Sequence, residues 1–224
     1  MSRRLYDLAG ADQDCRFSPY CNRIRRALHA KRLDFETVPV AFTDKEALAF
    51  SGQKLVPVLV DGERVIADSW AIACYLEETY PKPSLMGGKA GRALTLTFRH
   101  WVETAIHPLV LRAVVMDIHN ALAPVDQAYF RETREARFGS TLEALHQGAA
   151  ALPQLARALE PARSTLRELP WICGDRPGFA DFILAGAFDW ARAVSGLPLL
   201  ESDDPVNDWY DRLNERQTEE AGAA

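Results

Sequence analysis

The stretch Arg16-Phe17-Ser18-Pro19-Tyr20-Cys21 joins a short apolar segment to a basic amphipathic one, and its residue types suit the chemistry of sulfur. Ser18 stands where an N-cap belongs, Pro19 takes the favoured first helical position, and Ile24, Ala27 and Leu28 follow at helical spacing. Backbone N–H groups at such a helix start point toward whatever anion lies there. A serine hydroxyl in that place can donate a hydrogen bond to a bound thiolate and lower the thiol's pKa without itself ionising. Cys15 and Cys21 flank Ser18, and a thiol beside a helix start can itself be reactive.

Two further segments stand out from the pattern. Pro57 interrupts the apolar run Leu55-Val56-Pro57-Val58-Leu59-Val60, where a proline removes a ladder donor. A cis bond after Val56 would accommodate it. Asp68-Ser69 precedes Ile72, Ala73, Tyr75, Leu76 and Tyr80 and opens a second helix whose N–H groups could take a carboxylate.

The elements that must carry these residues follow from the pattern. Leu5-Tyr6-Asp7-Leu8 reads as a strand, Pro19 to about Lys31 as a helix, and a second strand falls within Phe35 to Phe42. A short polar helix around Lys45 to Phe50 leads to the Leu55–Val60 strand, the Asp61-Gly62 turn and a strand from Arg64 to Ala67. The segment 81–92, rich in proline and glycine, reads as a linker between a domain at 1–80 and one at 93–224. Helices are expected at Ala93–His119, Val125–Gly148, Leu152–Leu169, Asp181–Val194 and Pro205–Arg216, with no internal repeat. An α/β N-terminal half followed by an all-α helical bundle results.

Composition narrows the partners. The 224 residues are 48% hydrophobic and 25% charged, with a formal net charge of -5, which argues against a nucleic-acid binder. No apolar run approaches the roughly 20 residues needed to cross a bilayer, and the start of the chain shows no apolar signal segment, so a cytoplasmic location without membrane attachment is expected. Four cysteines without C-x-x-C spacing and five histidines without an H-x-x-x-H pair argue against metal and for reduced thiols. Cys74 and Cys173 read as core residues, and the basic face of Arg23, Arg25, Arg26, Lys31 and Arg32 as a solvated one.

Taken in order, the strand, the Ser-Pro helix start, Val56-Pro57-Val58-Leu59 and Asp68-Ser69 resemble the thioredoxin-like half of a cytosolic glutathione S-transferase. Ala180-Asp181 and Asp203-Asp204-Pro205 extend the likeness over nearly the whole chain. One departure is Gly178-Phe179-Ala180-Asp181, where the family pattern resembles a hydroxyl residue at the position of Gly178. Arg16-Phe17-Ser18-Pro19-Tyr20 and Asp68 to Leu76, with Asp204-Pro205-Val206 and Trp209, are most similar to bacterial β-aryl etherases and fungal etherase-related members.

The resemblance implies glutathione as co-substrate, a hydrophobic electrophilic small molecule as second substrate, and a homodimer. Ser18 would stabilise the glutathione thiolate, where thiol-exchanging relatives resemble Cys-Pro-Phe or Cys-Pro-Tyr. Ser69 and Asp68 would take the γ-glutamyl carboxylate and ammonium, the Val56 backbone opened by Pro57 would bond the cysteinyl unit, and Gln53 or Lys54 would reach the glycyl carboxylate. Tyr6 is a second thiolate donor candidate. Trp101, His107, Leu111 and Met116 would face the second substrate, with His107 as a possible acid to the leaving group. Two alternatives stand beside transfer chemistry: a fold kept for ligand or partner binding without turnover, and a thiol oxidoreductase using Cys15 or Cys21.

Overall fold

In the computed structural model, which describes residues 3–222, the chain opens with strand β1 (Arg3–Leu8), helix α1 (Pro19–Ala30) and strand β2 (Phe35–Val40). A short 3-10 turn, Glu46–Ser51, precedes β3 (Val58–Asp61), β4 (Arg64–Ala67) and α2 (Ser69–Thr79). The four strands form one mixed sheet in the order β2-β1-β3-β4, with β1 parallel to β2 and antiparallel to β3. Strand pairing in β3 begins at Val58 rather than Leu55. The Val56–Pro57 bond is cis, and both residues stay outside the ladder, as expected where proline lacks a donor.

The second half is helical throughout: α3 (Gly88–Trp101), α4 (His107–Asn120), α5 (Pro124–Phe138), α6 (Leu142–Leu145), α7 (Leu152–Ala158), α8 (Glu160–Glu168), α9 (Phe179–Val194) and α10 (Pro205–Gly222). Three expected helices are broken. A π turn at Val102–Ile106 separates α3 from α4. Gly139 adopts φ 63 and caps α5 in the left-handed region that glycine tolerates, so α5 stops ten residues short of Gly148. Pro161 lacks the N–H that would continue α7 and instead sits in the first turn of α8. The segment 81–92 contains the cis Lys82–Pro83 bond and the first turn of α3.

Helix α9 is the strut of the molecule. Phe179, Phe182, Ile183, Leu184, Ala185 and Phe188 are all buried, as its apolar sequence requires. It packs against α1, and Gly186 makes the approach possible, since a Cβ there would lie 2.7 Å from the Pro19 carbonyl oxygen. Arg26 of α1 reaches across with both forks on Asp189 of α9, at 2.5 and 2.7 Å, and also meets Asn214 and Gln217 of α10 at 2.8 Å. The expected solvated face is therefore solvated only in part, at Arg32 and the half-buried Arg25. Arg23, Arg26 and Lys31 are buried and paired with Glu103, Asp189 and Glu77, as buried charges must be.

The cap of α9 explains the missing hydroxyl at Gly178. Asp181, fully buried, accepts from the N–H groups of Gly178, Ile172 and Cys173 and from Trp209 Nε1 at 2.8–3.1 Å. Asp204 serves α10 in the same way, accepting from Val206 N at 2.9 Å while Arg163 clamps its carboxylate. Cys74 is buried as expected, but Cys173 is exposed. It lies in the short turn before α9, where its backbone N–H donates to Asp181 at 3.1 Å and the same carboxyl lies beside its thiol.

Candidate active site

A cavity of about 580 Å³ opens between the start of α1, the 53–57 loop, the start of α2 and the faces of α4, α5 and α9. Its size suits a small organic ligand. Ser18, Gln53, Lys54, Val56, Pro57, Asp68, Ser69, His107 and Leu111 all line it. Residues far apart in sequence thus meet at one place. Trp101 and Met116 do not line this cavity, and Trp101 packs on Phe98 with ring centroids 5.0 Å apart. The π turn between Trp101 and His107 breaks the regular helical spacing that had placed them on one face.

Ser18 is 5% exposed, and its Oγ accepts the Cys21 N–H at 3.3 Å while extended backbone angles hold it as the cap of α1. The hydroxyl proton is not used by that bond. It remains available to an acceptor in the cavity, with the α1 N-terminus adding favourable potential for an anion. Neither flanking cysteine shares this position. Cys21 is fully buried outside the cavity lining, and burial reinforced by the nearby Asp7 carboxyl pushes its thiol pKa well up. Cys15 donates to the Ala193 carbonyl at 3.3 Å, and burial raises its pKa as well. Tyr6 packs on Phe50 at 4.9 Å and is also outside the lining.

At the start of α2, Asp68 caps two N–H groups, Trp70 at 2.9 Å and Ala71 at 3.1 Å, through one carboxylate oxygen. Its φ is 73, a left-handed conformation that costs a non-glycine residue about 1–2 kcal/mol and that clusters at ligand-binding sites. Ser69 beside it is 1% exposed, and its Oγ has no partner among the described residues. A buried hydroxyl left unpaired is costly unless a ligand completes it. Gln53 and Lys54 are exposed at the rim, and the Lys54 carbonyl accepts from Lys45 Nζ at 3.2 Å.

Across the cavity, His107 is 8% exposed, its Nε2 has no partner, and its ring stands edge-on to Tyr20 and Trp190 at 5.6 and 5.9 Å. Burial, aided by the Arg23 guanidinium, lowers its pKa to about 3. His107 is therefore a neutral imidazole near pH 7, not the acid expected from its residue type. It can offer a leaving group a hydrogen bond but holds no ionised proton to give. Glu103, in the π turn, is held by Arg23 at 2.8 Å and Arg99 at 2.9 Å. Burial works against its ionised form, but the two guanidinium groups keep its pKa below the ordinary value. Phe42, Glu103, Arg134 and Trp190 complete the walls and were not among the expected residues. Only the Arg99-Glu103 spacing gave a signal, as an i,i+4 pair.

Two family models divide the chain between them: glutathione S-transferase, N-terminal domain, over residues 13–84 and glutathione S-transferase, C-terminal domain, over residues 93–215. Glutathione S-transferase 1 of Dianthus caryophyllus is 33% identical over 199 residues, covering 84% of this chain and 80% of that protein. A zeta-class glutathione S-transferase of Euphorbia esula is 37% identical over 132 residues, 56% of this chain and 59% of that one. A maleylpyruvate isomerase of Ralstonia sp is 29% identical, covering 82% and 84%. Among solved structures, glutathione transferase GSTFuA3 of Phanerochaete chrysosporium superposes with a TM-score of 0.84 at 26% identity, covering 98% of this chain and 97% of that one. A Ceriporiopsis subvermispora glutathione S-transferase crystallised with glutathione gives 0.84 at 23%, covering 97% of each chain. With both halves matched, and with an anion-ready helix start in each place where the fold presents one to the cavity, the chain belongs to the glutathione S-transferase family.

Proposed function

We propose that this protein is a serine-type glutathione transferase, in which Ser18 holds the glutathione sulfur as a thiolate for attack on an electrophilic carbon. The observation that carries the reading is the buried Ser18 hydroxyl, fixed by the Cys21 N–H and lining the same cavity as the unpartnered Ser69 hydroxyl. Ser69 and the α2 N-terminus would take the γ-glutamyl carboxylate, the free oxygen of Asp68 its ammonium, the Val56 backbone the cysteinyl unit as an added strand, and Lys54 or Gln53 the glycyl carboxylate. The thiol proton leaves to solvent when glutathione binds. The thiolate then forms a carbon–sulfur bond as an aryloxide or halide departs with the electrons of the bond it breaks.

The walls beyond the sulfur support an aromatic second substrate, since Tyr20, Phe42, Leu111, Phe130, Phe138 and Trp190 face the cavity. His107 would hydrogen-bond the departing oxygen as a neutral donor. The etherase-like subtype, the homodimer and the cytoplasmic location belong to this reading as well. A thiolate that adds reversibly to an activated double bond would isomerise it, and the likeness to a relative named maleylpyruvate isomerase favours that as a second reading of the same nucleophile.

Conjugation of glutathione to chlorodinitrobenzene, followed by product absorbance and mass, tests the reading against its thiol-exchange rival. Transfer that persists in a Cys15→Ser, Cys21→Ala double variant, with no disulfide-exchange activity in the native protein, is the expected result. Loss of all glutathione-dependent turnover in that variant would instead assign the chemistry to a cysteine.

A further inference from the structure

Helix α5 brings two arginines to the cavity whose charge nothing around them neutralises. Arg134 lies over the rings of Phe130 and Phe42, with its guanidinium carbon 4.8 and 5.3 Å from the ring centres, and Arg137 lies 5.3 Å over Phe138. Arg134 donates to the Thr133 hydroxyl at 3.0 Å, and among the described residues neither arginine forms an ion pair. The acids that line the cavity are engaged elsewhere. Asp44 accepts from Ala47 N at 3.1 Å, Asp68 caps α2, and Glu103 is shared by Arg23 and Arg99.

Arg134 is half-buried and Arg137 exposed at the rim; a cation partly withdrawn from water without a counter-charge is costly, and a like charge three residues away on the same helix adds repulsion. Burial and the neighbouring Arg137 lower the pKa of Arg134. Both arginines line the same cavity as Ser18 and Tyr20, so their charge bears on the space beside Ser18. A guanidinium stacked on an aromatic face keeps its edge donors free, and those donors match a carboxylate in a forked geometry.

We propose that Arg134 and Arg137 form a specificity site for an anionic aromatic electrophile, one carrying a carboxylate or a comparable oxyanion on the ring that glutathione attacks. The ring lies among Phe42, Phe130 and Trp190, and its anionic group closes the unpaired charge of α5. This rests on the glutathione-transferase reading above, because the arginines select the partner of a thiolate held at Ser18.

Binding separates the two ideas without requiring turnover. Isothermal titration compares the glutathione S-conjugate of chlorodinitrobenzene with the S-conjugate of its ring-carboxylated analogue, in the native protein, in Arg134→Met/Arg137→Met, and in Arg134→Lys. Methionine keeps the packing on Phe42 and Phe130 while removing charge. The carboxylated conjugate is expected to bind native protein about tenfold more tightly or better, as charge-assisted hydrogen bonds allow. That preference vanishes in the double variant with the affinity for the conjugate without the ring carboxylate and for glutathione unchanged, and it is partly retained in Arg134→Lys. Equal affinities in the native protein, or a double variant that weakens both conjugates alike, would overturn the assignment. If glutathione itself does not bind, the underlying transferase reading fails and takes this assignment with it.

Discussion

Ser18, Ser69 and His107 are buried polar groups that line one cavity; Ser18 already caps α1, while Ser69 Oγ and His107 Nε2 have no partner among the described residues. The first two were legible in the sequence because helix caps are local: Ser18-Pro19 and Asp68-Ser69 announce helix starts from neighbouring residues alone. The state of His107 was not, because its pKa depends on Tyr20, Trp190 and Arg23, which arrive from other helices. The consequence for stability has a definite sign. Unfolded, the imidazole takes a proton below about pH 6.5; folded, it stays neutral down to about 3. The unfolded state therefore binds the extra proton between those values, and stability falls as pH drops through that window. Urea unfolding of native protein and His107→Gln between about pH 7 and about pH 4 should show a native slope steeper by up to about 1.4 kcal/mol per pH unit. Parallel slopes would mean that His107 is not shielded as described.

At the scale of elements, helix starts marked by a cap or a proline matched the sequence pattern, and breaks inside the long apolar-periodic stretches did not. Pro19, Asp68 and Pro205 mark helix starts in the expected places. The ends of α5 at Gly139 and of α7 before Pro161, and the π turn at 102–106 just ahead of Pro108, carried signals that apolar periodicity overrode. Gly178 shows how packing can reverse a local rule. Serine is ordinarily a slightly better N-cap than glycine, yet a Cβ at 178 would meet the Leu85 carbonyl oxygen at 2.7 Å and the Cys173 sulfur at 2.8 Å. Gly178→Ser is therefore expected to destabilise the protein by about 1–3 kcal/mol despite supplying the cap hydroxyl, read as a lowered midpoint in denaturant with an unchanged slope. A stabilised variant would show that the Leu85 loop yields freely and that the tight approach does not matter.

In the whole molecule, the cavity exists because two halves are fastened across it. Arg26 to Asp189 and Arg23 to Glu103 tie α1 to α9 and to the π turn, while the α1 start and the α2 start supply one wall and α4, α5 and α9 the other. The sequence showed the first wall, whose residues cluster in short motifs. Of the second wall it offered only His107 and Leu111; Glu103, Arg134 and Trp190, and Phe42 from the N-terminal half, become neighbours only through packing. On the transferase reading, this architecture keeps one sulfur ionised at Ser18. An ultraviolet difference titration of bound glutathione, in native protein and in Ser18→Ala, measures that ionisation. The thiol pKa should be depressed in the native protein and raised by about one to two units in Ser18→Ala, the value of one charge-assisted hydrogen bond, with glutathione still bound. The same depressed pKa in both proteins would contradict that reading.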